Sequence, residues 1–116
     1  VVLVDVHSGQ IQGFFGPRVP VDNLEANLVA LNYFVEQNQI PLKDVAVVSP
    51  DAGGVTRAKN FQSLLDSVGV KDSTLAMIIK QRVKAGKIGS MHMVGSVQGK
   101  NVVIVDDIID TAGTLS

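Results

Sequence analysis

Short apolar runs rich in valine alternate along the chain with segments whose apolar residues recur at helical spacing. The runs at 1–5, 45–49 and 101–105 lack the polar alternation of a half-exposed strand and predict buried strands. Beyond Pro20, Asp22 and Glu25 form a capping-box pattern, and Leu24, Leu28, Leu31 and Val35 share one helical face. This first helix should fade near Asn38 and stop before Pro41. A second helix is predicted over 55–68, burying Val55, Ala58, Phe61, Leu65 and Val68, with Gly69 as its stop. Further strands are expected over 74–79 and 91–97, with a polar loop over 80–90 and a turn at Gln98-Gly99.

Continuous apolar strands separated by amphipathic helices predict a doubly wound α/β unit, whose mostly parallel sheet is covered on both faces. No repeat or linker divides the chain, so 1–116 reads as one unit. Val1 stands within a strand-like run and Ser116 stands where a helix should begin, which predicts a piece of a larger domain, truncated at both ends. In such sheets ligands lie beyond the carboxyl ends of the strands, so the residues after each strand carry the candidate chemistry.

Composition narrows the classes. Ten Lys plus Arg against eleven Asp plus Glu give a net charge of −1, which provides no general attraction for nucleic acid or anionic lipid. The apolar runs are far shorter than the ~20 residues of a membrane-spanning helix. With no cysteine, disulfides, thiolate chemistry and Cys-based zinc sites are absent, and a reducing cytoplasm is the expected compartment.

Asp5 and His7 follow the first strand and offer an oxygen and a neutral nitrogen to a hard cation. After the second strand, Asp51, Ala52, Gly53 and Gly54 lead into a helix. The glycines let backbone N–H groups approach an anion, and Asp51 could hold Mg²⁺ bound to it, as in a magnesium diphosphate. The alternative is an ordinary tight turn.

Lys80, Arg82, Lys84 and Lys87 concentrate positive charge between Asp72 and Asp106, where there is no Asp or Glu. They suit a segment closing over polyphosphate, or else a solvated basic hairpin. Asp106, Asp107 and Asp110 crowd three carboxylates into five positions beside a strand, a costly arrangement unless hydroxyls or a cation compensate. With Thr111, Ala112, Gly113 and Thr114 they suggest a phosphate monoester wrapped by residues 110–114, with vicinal sugar hydroxyls on Asp106 and Asp107.

Asp5-Val6-His7 with Gln10-Ile11-Gln12-Gly13-Phe14-Phe15, Pro20-Val21-Asp22-Asn23-Leu24, Ser49-Pro50-Asp51-Ala52-Gly53-Gly54, Lys80 with Arg82, and Asp106-Asp107 with 110–114 together resemble the ribose-phosphate pyrophosphokinases. The resemblance covers essentially the whole chain and implies a type I phosphoribosyltransferase-like fold. It also implies Mg²⁺-dependent transfer of diphosphate from ATP to O1 of ribose 5-phosphate, giving phosphoribosyl pyrophosphate and AMP for nucleotide biosynthesis.

By the same resemblance His7 and Asp51, with Asp5 and Asp22 in the metal signature, would serve magnesium. Lys80 and Arg82 would be catalytic, Asp51 to Gly54 would hold diphosphate, and Asp106, Asp107 and 110–114 would hold ribose 5-phosphate. It further implies that the chain is part of a longer two-domain, homo-oligomeric enzyme and is inactive by itself. The rivals are a phosphoribosyltransferase that consumes phosphoribosyl pyrophosphate, and a catalytically silent subunit associated with the synthetase.

Overall fold

The computed structural model describes residues 1–37, 41–84 and 87–110, the backbone alone at 81–84 and 87–89. Its main sheet has four strands: β3 (Val45–Ser49), β4 (Thr74–Lys84), β5 (Lys87–Val94) and β6 (Asn101–Ile104), in the order β5-β4-β3-β6. β3 pairs in parallel with β4 on one side and β6 on the other, while β5 runs antiparallel to β4. A separate parallel pair joins β1 (Val2–Val4) to β2 (Asp22–Leu24), with Leu3 opposite Asn23. The helices are α1 (Asn27–Gln37) and α2 (Val55–Ser67), and a 3-10 helix spans Gly9–Phe15.

β3 is central, and all five of its residues are buried, as its unbroken apolar run predicts. Val45 and Val47 join Val103 of β6, Leu31 of α1 and Ala58, Phe61 and Leu65 of α2 in one core, with Leu75 and Phe34 packed against it. The rings of Phe34 and Phe61 meet edge to face at 6.2 Å, which ties α1 to α2. Alternation along the strands puts Ala46, Val48, Val102 and Ile104 on the opposite face, where Val102 and Ile104 stay 42% and 43% exposed. The α/β arrangement around a mostly parallel sheet is as expected, and both described helices contribute to the first face.

Five other expectations are corrected. Asp22 to Leu24 is a strand rather than a capped helix start, because its backbone pairs with β1, a partner that local sequence does not reveal. Helix α1 therefore begins at Asn27 and buries Asn27 and Leu31 with Ala30 and Phe34 partly covered, whereas Leu24, Leu28 and Val35 are exposed. The predicted end near Asn38 lies outside the described residues.

The run at 1–5 is a three-residue strand with Val2 and Val4 exposed. The segment expected as a polar loop over 80–90 instead lies largely on β4 and β5, where cross-strand bonding satisfies a backbone whose side chains carry the polarity. Helix α2 matches its predicted start and ends one residue early, leaving Val68 exposed, and Gly69 follows with φ 93°.

Gly95 follows β5 with φ 101°, and an added Cβ there would stand 2.9 Å from the Leu75 carbonyl oxygen and 2.9 Å from the Ala76 Cβ. Backbone cannot yield as a flexible side chain can. Gly95→Ala is expected to cost more than about 2 kcal/mol in urea unfolding, combining the left-handed penalty with this overlap. An unchanged midpoint would contradict the described turn.

Candidate functional site

β3 and β6 run side by side and in parallel, so the turn at 51–54 and the acidic residues at 106–107 emerge at the same end of the sheet. Residues His7, Asp51, Gly53, Gly54, Arg57, Asp106 and Asp107 line one cleft of about 350 Å³ there. A neighbouring cleft of about 360 Å³ shares His7, Gly53 and Arg57 and is otherwise lined largely by polar groups, among them Asn23, Asn27 and Asn60.

The 51–54 turn is held from within. The Ser49 hydroxyl donates to the Asp51 carbonyl at 2.6 Å, and the Gly54 N–H donates to Asp51 Oδ1 at 2.9 Å. A Cβ on Gly54 would lie 2.8 Å from Ser49 Oγ, so a side chain there would have to displace the hydroxyl that holds the turn. The Asp51 carboxylate thus caps the approach to α2, the structural role a tight turn predicts, while retaining acceptor capacity in the cleft. Ala52 is exposed in the same turn.

Asp107 has a side chain only 8% exposed, and its Oδ2 receives two partners: His7 Nδ1 at 2.7 Å and Arg57 Nη1 at 3.2 Å. Burial disfavours the ionised carboxylate, but the hydrogen bond from His7 and the positive charge of Arg57 outweigh it and hold Asp107 below the usual carboxylate range. An ionised carboxylate only accepts hydrogen bonds, so His7 Nδ1 is the donor, and Nε2 is the nitrogen that carries the lone pair whenever the ring is neutral. The Asp107 N–H donates to Asp106 Oδ1 at 3.0 Å, so the Asp106 carboxylate is tied to the backbone of its neighbour.

The structure separates other residues singled out in the sequence. Asp5 has φ 47°, a conformation Asp tolerates better than most residues, and its Oδ2 accepts the Ala26 N–H at 3.1 Å just before α1. It borders the neighbouring cleft rather than the one with Asp51 and Asp107. Asp22 lies on β2 and lines neither.

Lys80 lies on β4 opposite Met91, and Asp110 is exposed beyond β6. The Arg82 side chain, Thr111, Ala112, Gly113 and Thr114 lie outside the described residues. Among the described residues no three His, Asp or Glu side chains surround one point as a metal cage would. The donor set nevertheless suits Mg²⁺, which keeps much of its water and binds through one or two carboxylates together with substrate phosphates.

Arg57 is the functional candidate that sequence reasoning missed. A signal existed, because a cation in the first turn of a helix faces the positive end of the dipole and so calls for an anionic partner. That partner stands fifty positions away.

The profile described as phosphoribosyl transferase domain matches residues 20–116. A ribose-phosphate pyrophosphokinase of Marinomonas sp. (strain MWYL1) is 46% identical over 115 residues, covering 99% of this chain and 33% of that protein. One from Shewanella oneidensis is 47% identical over 115 residues, with the same coverage. The crystal structure of phosphoribosylpyrophosphate synthetase from Mycobacterium smegmatis superposes with a TM-score of 0.76 at 40% identity, over 98% of this chain and 33% of that one. The chain thus spans about a third of the length of the relatives it matches. It belongs to the phosphoribosyl transferase domain family, and within it resembles one portion of a ribose-phosphate pyrophosphokinase.

Proposed function

We propose that the protein containing this chain transfers the diphosphoryl group of ATP to O1 of ribose 5-phosphate, releasing AMP and phosphoribosyl pyrophosphate. The observation that carries this reading is the cleft in which the 51–54 turn faces Asp106 and Asp107, in a chain so similar to ribose-phosphate pyrophosphokinases. In the reaction the O1 hydroxyl attacks the β-phosphorus of ATP, its proton leaves, and the bond from the β-phosphorus to the oxygen bridging to the α-phosphate breaks.

Such transfers need little covalent help from protein, so positioning and charge stabilisation carry the rate. Backbone N–H groups of the 51–54 turn and of the start of α2 suit the diphosphate. Asp106 and Asp107, with Asp110 and 111–114 as the loop for the 5-phosphate, suit the sugar phosphate. Asp51 and the lone-pair nitrogen of His7 would hold Mg²⁺, which when bound neutralises the polyphosphate and polarises the phosphorus under attack. Lys80 and Arg82 would stabilise charge developing on the AMP side. The complete protein would act as a homo-oligomer in the cytoplasm.

The test supplies the complete protein with ATP, Mg²⁺ and ribose 5-phosphate and follows AMP release. Ribosylation of a nucleobase from phosphoribosyl pyrophosphate, without AMP release in the first assay, would make it a phosphoribosyltransferase instead. Binding without turnover, together with association with active copies, would make it the silent subunit.

For Asp107→Asn we expect affinity for ribose 5-phosphate to fall about 10-fold, because a charged acceptor for sugar hydroxyls is lost. Equal affinity by calorimetry would remove the sugar from Asp107.

A further inference from the structure

We infer that Arg57 is a positioning residue, whose guanidinium locks the segment carrying His7 to the turn carrying Asp107 and so assembles the cleft from two separate strand ends. Its two ends do different work. Nη1 stands 3.2 Å from Asp107 Oδ2, and Nη2 donates to the Val6 carbonyl oxygen at 3.3 Å, one residue before His7. His7 closes the triangle, with Nδ1 at 2.7 Å from the same carboxylate oxygen that Arg57 engages. One planar fork therefore fixes both the backbone beside the imidazole and the carboxylate that orients it.

The anchor behind this fork is rigid. Arg57 precedes Ala58, which is fully buried, on the helix that also buries Phe61 and Leu65 in the core. The arginine side chain is 21% exposed and the carboxylate 8%, so the pair is partly withdrawn from water and weakly screened. By contrast the His7 side chain is 72% exposed and belongs to a segment whose own strand, β1, has only three residues. Without Arg57 the His7 segment keeps its link to Asp107 only through an imidazole held on a short, exposed support. A lysine would supply the charge but not two divergent donors.

The proposal predicts that Arg57 acts through Asp107 rather than by its own contact with a ligand. Two double-mutant cycles on the complete protein test it, using Arg57→Gln, Asp107→Asn and the combined variant, with Arg57→Lys as the charge-retaining comparison. The first cycle reads urea unfolding without ligand, and the single effects should fall clearly short of adding in the double variant. The second reads ribose 5-phosphate affinity by calorimetry, and this arm rests on the function proposed above.

In calorimetry, Arg57→Gln should weaken binding about 10-fold, Arg57→Lys should recover little of the loss, and the double variant should be about 10-fold rather than about 100-fold weaker than wild type. Additive losses in both cycles would overturn the proposal. Coupling in unfolding with unaltered ligand affinity would overturn the positioning role and leave a structural pair. If wild type itself binds no ribose 5-phosphate while unfolding shows coupling, the functional reading falls and the lock between the two strand ends stands.

Discussion

Lys80→Ala in the complete protein is expected to lower turnover by about 100-fold or more while leaving ribose 5-phosphate affinity within about twofold. The register supplies the structural reason. Ser49, the last residue of β3, pairs with Met77, so β4 continues past the carboxyl end of β3 and Lys80 lies three residues further on. At about 3.3 Å per strand residue it stands about 10 Å beyond that pairing, towards the end of the sheet from which the 51–54 turn and Asp106 emerge.

Lys80 is supported there by pairing with Met91 on β5, and the two strands form a long antiparallel arm. Such an arm can carry a cation to a polyphosphate without taking part in ground-state binding of the sugar. Steady-state kinetics and calorimetry together check the split between rate and affinity. An unchanged rate would take Lys80 out of the mechanism, and a parallel loss of sugar affinity would place it on the sugar rather than on the leaving group.

Phe61→Ala is expected to destabilise the protein by about 3–5 kcal/mol in urea unfolding, the range for deleting a large buried ring and leaving a cavity. Phe61 is 1% exposed, packs against Phe34 of α1 and belongs to the same core as Val45, Val47 and Val103. With Leu31, Ala58 and Leu65 it joins the helices to the sheet. Helix α2 also starts at the 51–54 turn and carries Arg57, so loosening it should weaken the cleft as well as the core. A loss below about 1 kcal/mol would show that the two helices do not share this core.

Much of the local structure was legible. β3 was readable because burial on both faces leaves no room for polar alternation in Val45–Ser49. Helix α2 was readable because Ala58, Phe61 and Leu65 recur at helical spacing between a glycine turn and Gly69. Of the seven residues that line the cleft, His7, Asp51, Gly53, Gly54, Asp106 and Asp107 were singled out as residues following strands, and Arg57 was not.

Other elements resisted for stated physical reasons. β2 owes its form to bonding with β1, about twenty residues away, and the capping-box pattern at Asp22 and Glu25 carried no trace of that partner. The face of α1 was misjudged because Leu28 and Val35 are apolar at helical spacing, yet Asn27, Ala30, Leu31 and Phe34 are the positions that meet the core. The basic segment after Ile79 reads as a loop by composition, but antiparallel pairing turns most of it into strand.

By itself the sequence determined the alternation of helix and strand, the buried central strand and most of the residues that line the cleft, because burial and turn chemistry leave their marks within a few residues. Only the tertiary structure decided that Asp5 serves a helix start, that Asp107 takes His7 and Arg57 as partners, and that β1 and β2 pair apart from the main sheet. Those outcomes join residues between about twenty and a hundred positions apart, and a contact across that separation depends on where the whole chain puts its strands.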